Sequence, residues 1–135
     1  MAYKDAFITI TLLLKKYFKR LTRLVIMSEP NDELVKRVQK IHGAVMEEFL
    51  ANPCEGVPFS SLKECIAERL SKHNLRPVNI QVLNIDGAVT DNPDEAKYVR
   101  VVCSEGDVDH IFTFALVKRR GLFNVIFMQS AVSIK

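Results

Sequence analysis

The hydrophobic period of this chain changes once, at Arg76, and that change restricts the fold more than any single residue does. Before Arg76, apolar residues recur every three or four positions, the spacing of one face of an α-helix. After it they alternate, the spacing of a half-buried strand. Leu34, Val38, Ile41, Val45 and Phe49 predict a helix over about Asp32–Leu50, with Val35, Met46 and Leu50 widening its stripe. Asp32 and Glu33 suit the positive end of its dipole, and Asn52-Pro53 ends it. Leu62, Cys65, Ile66 and Leu70 predict a second helix over about Leu62–His73. Ser61 and Glu64 match a capping box at its start, and Asn74 is a suitable stop.

The alternating part divides into four runs. Val78, Ile80 and Val82 alternate first; the phase then slips to Leu83, Ile85, Gly87 and Val89. Such a slip predicts a β-bulge that bends one long strand. A turn follows at Asp91–Glu95. The second strand, about Lys97–Ser104, puts Val99, Val101 and Cys103 on one face, and Glu105-Gly106 reads as a tight turn. The third, about Val108–Lys118, is apolar on both faces, with Phe112, Phe114 and Leu116 opposed to Ile111, Thr113, Ala115 and Val117. The fourth covers about Leu122–Ile134 and is apolar on both faces near Phe123–Met128. Two helices followed by four closely connected strands predict an α+β domain over residues 28–135, its helices on one face of a curved four-stranded antiparallel meander. Two helices cover one side of such a sheet. The other side calls for a leader helix, a ligand, a second copy or another protein.

The stretch from Arg76 to Ile134 resembles the C-terminal half of nuclear transport factor 2-like domains. The resemblance rests on the long bent strand reaching Ile85-Asp86-Gly87 and on the strand Tyr98–Ser104. It continues through Phe112-Thr-Phe114-Ala-Leu116 before a basic turn to the last strand, Phe123-Asn-Val125-Ile-Phe127. It implies a curved sheet wrapped around helices as a cone, a sheet face that dimerises, and a cone able to hold a ligand. The chain departs from that pattern in lacking an evident hairpin and third helix before the long strand. It also has Thr113 where glutamine is common. A dynein-light-chain-like arrangement, also two helices followed by strands, is the alternative and would bind peptides by strand addition.

Charge separates the chain into two parts. Residues 1–27 hold six Lys/Arg against Asp5, a net +5, whereas residues 28–135 are net −2. A body with this balance is not expected to bind nucleic acid, which selects a basic patch on the folded domain. The apolar steps of residues 6–27 predict a basic amphipathic helix. Four roles remain open for it: a mitochondrial targeting segment, contact with a membrane surface, a secretory signal, or an extra helix on the sheet or extension upstream of a start at Met27. The longest apolar stretch, Ala6–Leu14, has nine residues, well short of the ~20 a spanning helix needs.

Cys54, Cys65 and Cys103 are odd in number and match neither a metal motif nor a disulfide framework. They therefore point to a reducing intracellular compartment, cytoplasmic or nuclear, or mitochondrial if the leader targets. No metal and no cofactor is expected. Cys103 and His110 flank the Glu105-Gly106 turn and would be diagonal neighbours, a pairing that can generate a thiolate but that ordinary packing also produces. Asp86 stands where the resembled enzymes place a general base, and it is equally a turn residue. The tip Lys118, Arg119 and Arg120 reads as a solvated turn. No catalytic motif is present, so the expectation is a non-enzymatic module or adaptor that binds a protein partner or forms a homodimer, in transport or RNA–protein assembly. Its interface candidates are Val99, Val101, Ile111, Thr113, Val125 and Phe127. The alternative is a small-molecule-binding protein or enzyme with a pocket between helices and sheet, using Asp86, Cys103 or His110.

Overall fold

In a computed structural model of the chain, residues 7–11 and 32–135 are described. The order is β1 (Phe7–Thr11), α1 (Asp32–Ala51), a short 3-10 turn (Phe59–Ser61), α2 (Leu62–Ser71), β2 (Pro77–Leu83), β3 (Tyr98–Glu105), β4 (Val108–Arg119) and β5 (Leu122–Ile134). This is the expected α+β arrangement of two helices and an antiparallel meander. β1 makes it a five-stranded sheet of order β1-β5-β4-β3-β2. Residues Phe7–Thr11 of the basic leader are thus backbone-paired to β5, from Phe7 opposite Ser133 to Thr11 opposite Gln129. The rest of the leader helix expected over residues 6–27 lies outside the described residues. Among the described residues, no helix is long and apolar enough to cross a membrane.

α1 buries Val38, His42, Val45, Met46 and Phe49, the stripe its spacing dictates. It lies on the inner face of the sheet. Val38 and Met46 pack against Val108 and Val132, and the Phe49 and Phe114 rings sit 4.6 Å apart. α2 adds Leu62, Ile66 and Leu70, all fully buried. Its start differs from the capping box. Ser61 belongs to the 3-10 turn, its N–H donates to the Pro58 carbonyl, and its side chain caps nothing. The Ser61 N–H, which the Glu64 side chain of a capping box would serve, is already taken by the preceding turn. Its end is as expected. Asn74 is left-handed at φ 60°, Asn74 N–H donates to Ser71 and Leu75 N–H donates to Leu70, the pairing of a Schellman motif.

The bent strand expected through Val89 stops at Leu83 instead. Asn84 Oδ1 accepts from the amides of Asp86 and Ala88, Gly87 takes φ 83°, and the chain reverses so that Val89 bridges Leu83. The alternation after Val82 is a turn, and the register shift falls between Pro77 and Asn79. The β3–β4 turn is Gly106-Asp107, with Glu105 opposite Val108, one residue later than expected. Gly106, at φ 57°, takes the first central position of that two-residue turn.

The β4–β5 turn is Arg120-Gly121, both left-handed at φ 53° and 79°. This twist matches a right-handed hairpin but strains any side chain at its first position. Arg120→Asn should therefore stabilise the fold by about 1 kcal/mol, measured as a raised urea midpoint, and Gly121→Val should lower it by a similar amount.

Candidate functional site

α1 brings His42 to the sheet because it lies on the buried stripe, and β4 brings His110 inward in phase with Val108 and Phe112. Both side chains are fully buried. His42 Nε2 lies 2.9 Å from His110 Nδ1, and His110 Nε2 lies 3.4 Å from Glu105 Oε1. Arg37 Nε, a little over one helical turn before His42, stands 3.7 Å from the same carboxylate. A carboxylate only accepts, so this network assigns the His110 proton to Nε2. His110 Nδ1 then accepts from His42 Nε2–H. The assignment leaves His42 Nδ1 as a buried acceptor with no hydrogen-bond partner, and Ser130 Oγ is likewise unpartnered. Ser130 sits opposite Phe112, whose ring is 4.9 Å from that of His42.

Burial, and secondarily the neighbouring His110, push His42 down to about 3. Burial also lowers His110, while Glu105 pulls the other way. The pair is therefore neutral at pH 7. Once unfolded, both imidazoles bind protons near the ordinary value of about 6.5. Stability is then fully present above that value and is lost progressively as the pH falls towards the folded value. From pH 7 to 5, His42 should account for a loss of about 2 kcal/mol in urea-unfolding free energy. The double variant His42→Leu/His110→Val should flatten that slope, because Glu48, Asp94 and Asp109 are held below the ordinary carboxylate range and titrate lower. A variant retaining the full slope would assign it elsewhere.

The cysteine reading is corrected. Cys54 and Cys65 form a disulfide with Cα atoms 6.2 Å apart. Their spacing carries no signature because the bond joins the loop after α1 to α2, a contact made by tertiary packing. The argument for a reducing compartment from unpaired cysteines is lost with it. Cys103 is the free cysteine and is buried. It faces His110 directly across β3–β4, not diagonally, because the turn is one residue later than expected. Burial pushes its thiol up to about 12, and both His110 nitrogens are engaged by other groups. No thiolate nucleophile is set up there. Asp86 is exposed at the tip of the Asn84 turn, not within an apolar strand.

The interface candidates divide between the two faces. Val99, Val101 and Val125 belong to the buried core under the helices, and Phe127 packs against the same core. This corrects their assignment to a free face. Ile111 and Thr113 are on the outer face, where sequence reasoning missed Tyr98, Val102, Ala115, Ile126 and Ala131. The alternation within each strand was visible, but the face toward the helices was not. Among the described residues, no group of three or more His, Cys, Asp or Glu could hold a metal. One cleft, about 400 Å3 in volume, is lined by Glu33, Leu34, Arg37, Asp107, Val108 and Ile134, and neither imidazole lines it. No protein-family model, curated protein or solved structure matches the chain.

Proposed function

We propose that this chain is a non-enzymatic interaction module whose outer sheet face seats a second copy of itself. The observation that carries the reading is a pair of apolar rows crossing the strands. Val102, Ile111 and Ala131 form one row; Tyr98, Ala115 and Ile126 form the other. A polar row of Gln81, Arg100, Thr113 and Gln129 runs between them, tied at one end by an Arg100 Nη2–H to Gln81 Oε1 bond of 2.8 Å. Ile126 is 50% and Val117 41% exposed. The face is roughly 20 Å across four strands and 25 Å along them, the size range of a small pairwise interface. The two apolar rows carry no charge and Arg100 between them is tied to Gln81, which favours burial against a like surface over contact with nucleic acid. The resemblance to nuclear transport factor 2-like domains supports the same face and suggests an adaptor in transport or RNA–protein assembly. The compartment follows the Cys54–Cys65 bond: a persistent bond fits oxidising surroundings, a cycling one fits reducing surroundings. The pocket-enzyme alternative has less support, because the His42 ring packs 4.9 Å and the His110 ring 6.4 Å from that of Phe112.

Sedimentation equilibrium of the full chain tests the proposal. A reversible dimer is expected, and Ile111→Glu should weaken it by about a hundredfold with unchanged circular dichroism, because it buries an unpaired charge. A chain that stays monomeric at every concentration overturns it.

A further inference from the structure

The edge of β5 that faces away from β4 is covered in two pieces. β1 covers Gln129–Ser133. The loop after α1 covers Phe123–Val125 with four hydrogen bonds. Val57 N–H donates to the Phe123 carbonyl at 2.9 Å, and Phe123 N–H donates back to Val57 at 2.8 Å. Val125 N–H donates to the Cys54 carbonyl at 2.8 Å, and Gly56 N–H donates to Asn124 Oδ1 at 2.8 Å. This covering loop lies within the segment that the Cys54–Cys65 bond closes. The flanking helices have their own anchors: Phe49 on α1 and Leu62, Ile66 and Leu70 on α2 are buried in the core. Cys54 is itself in that core and Val57 and Cys65 pack on it, so the crosslink sits where the covering loop meets the core, while the helices are held by residues outside the loop.

We propose that the Cys54–Cys65 bond is a redox latch on the β5 edge. Oxidised, it holds residues 54–57 on Phe123–Val125; reduced, it lets that loop lift, freeing Cys54 and Val57 from the margin of the core while Phe49, Leu62, Ile66 and Leu70 stay packed. The co-reactant is a dithiol reductant. Its first thiolate attacks Cys65 Sγ, on the partly exposed position, because Cys54 is only 1% exposed. The S–S bond breaks, its electron pair leaves on Cys54 Sγ, and that sulfur takes up a proton. The reductant's second thiolate then displaces Cys65, which is protonated in turn. Two electrons pass to the protein, two thiols form, and the reductant leaves as its own disulfide. Cys103 takes no part, being buried with its thiol protonated.

The test uses the full chain with and without a dithiol, such as dithiothreitol. Alkylation after denaturation should label one cysteine in the oxidised chain and three in the reduced chain. Amide hydrogen exchange at Val57, Phe123 and Val125 should accelerate by about tenfold or more on reduction, with the β3–β4 amides unchanged. Cys54→Ser/Cys65→Ser should show the fast pattern without reductant and ignore its addition. Three labels in the air-oxidised chain overturn the proposal. So does equal exchange in the two states, which would mean that the bond does not hold the loop. Global unfolding on reduction also overturns it, by making the bond a staple of the whole fold.

Discussion

The packing of α1 on the inner face of β4 is the contact on which the rest of the molecule depends. Phe112 and Phe114 are wholly buried there, beneath His42 and Phe49. Large aromatic side chains contribute most to a small core, and truncating one costs about 3–5 kcal/mol. Everything else is arranged around this seam. α2 fills the space beside α1, β3 and β5 supply Val99, Val101, Phe123 and Val125, and the second cluster extends the seam toward Val108 and Val132. Because α1 and α2 lie on this one face, the inner and outer faces acquire different chemistry from strands that read alike in sequence.

A hydrogen-bonded histidine pair within that seam needs a physical reason. Two apolar residues of similar volume would fill the space without a buried acceptor, and replacing buried polar pairs in this way is often neutral or stabilising. Two features reduce the cost here. The pair is neutral, so it carries no ionic desolvation penalty, and three of its four ring nitrogens find partners. In return it joins α1 to β4 through a directional bond 68 residues apart in sequence. An apolar stripe can slide along a sheet by a turn, whereas a 2.9 Å bond between two rings fixes a single register.

The sequence was most legible where periodicity and position suffice. The α1 stripe, the span of β5 and the Schellman end at Asn74 follow from local spacing and local chemistry. The failures have two causes: local turn chemistry that outcompetes the periodicity, and deciding partners that lie far along the chain. The Ser61 cap is absent because a 3-10 turn precedes it, and the Asn84 side chain converts an apparent strand into a turn. The disulfide is invisible because its cysteines stand eleven positions apart, a spacing without a motif. Likewise, alternation in β3 divides Val99 and Val101 from Val102, but only the placement of the helices says which set is covered. His42 could be read only as a single histidine on a helix until β4 brought His110 to it.

The edges of the sheet complete the logic. An uncovered strand edge is a template for unwanted pairing, and this chain treats the free edge of β2 and the side of β5 that faces away from β4 differently. On β2, the free edge is blunted by Pro77, by the register shift beside it and by the return of Thr90, whose N–H donates to Val82. These devices belong to the local sequence and are permanent. On β5, the cover is borrowed from distant parts of the chain, one piece from β1 and one from the loop held by Cys54–Cys65. A cover borrowed at long range is only as durable as its tether, since lifting it releases Cys54 and Val57 at the margin of the core but leaves the helix anchors Phe49, Leu62, Ile66 and Leu70 packed. The proposed association through the outer face does not involve the disulfide. The β5 edge depends on a bond that chemistry can break, so the two surfaces can respond to different conditions on one scaffold.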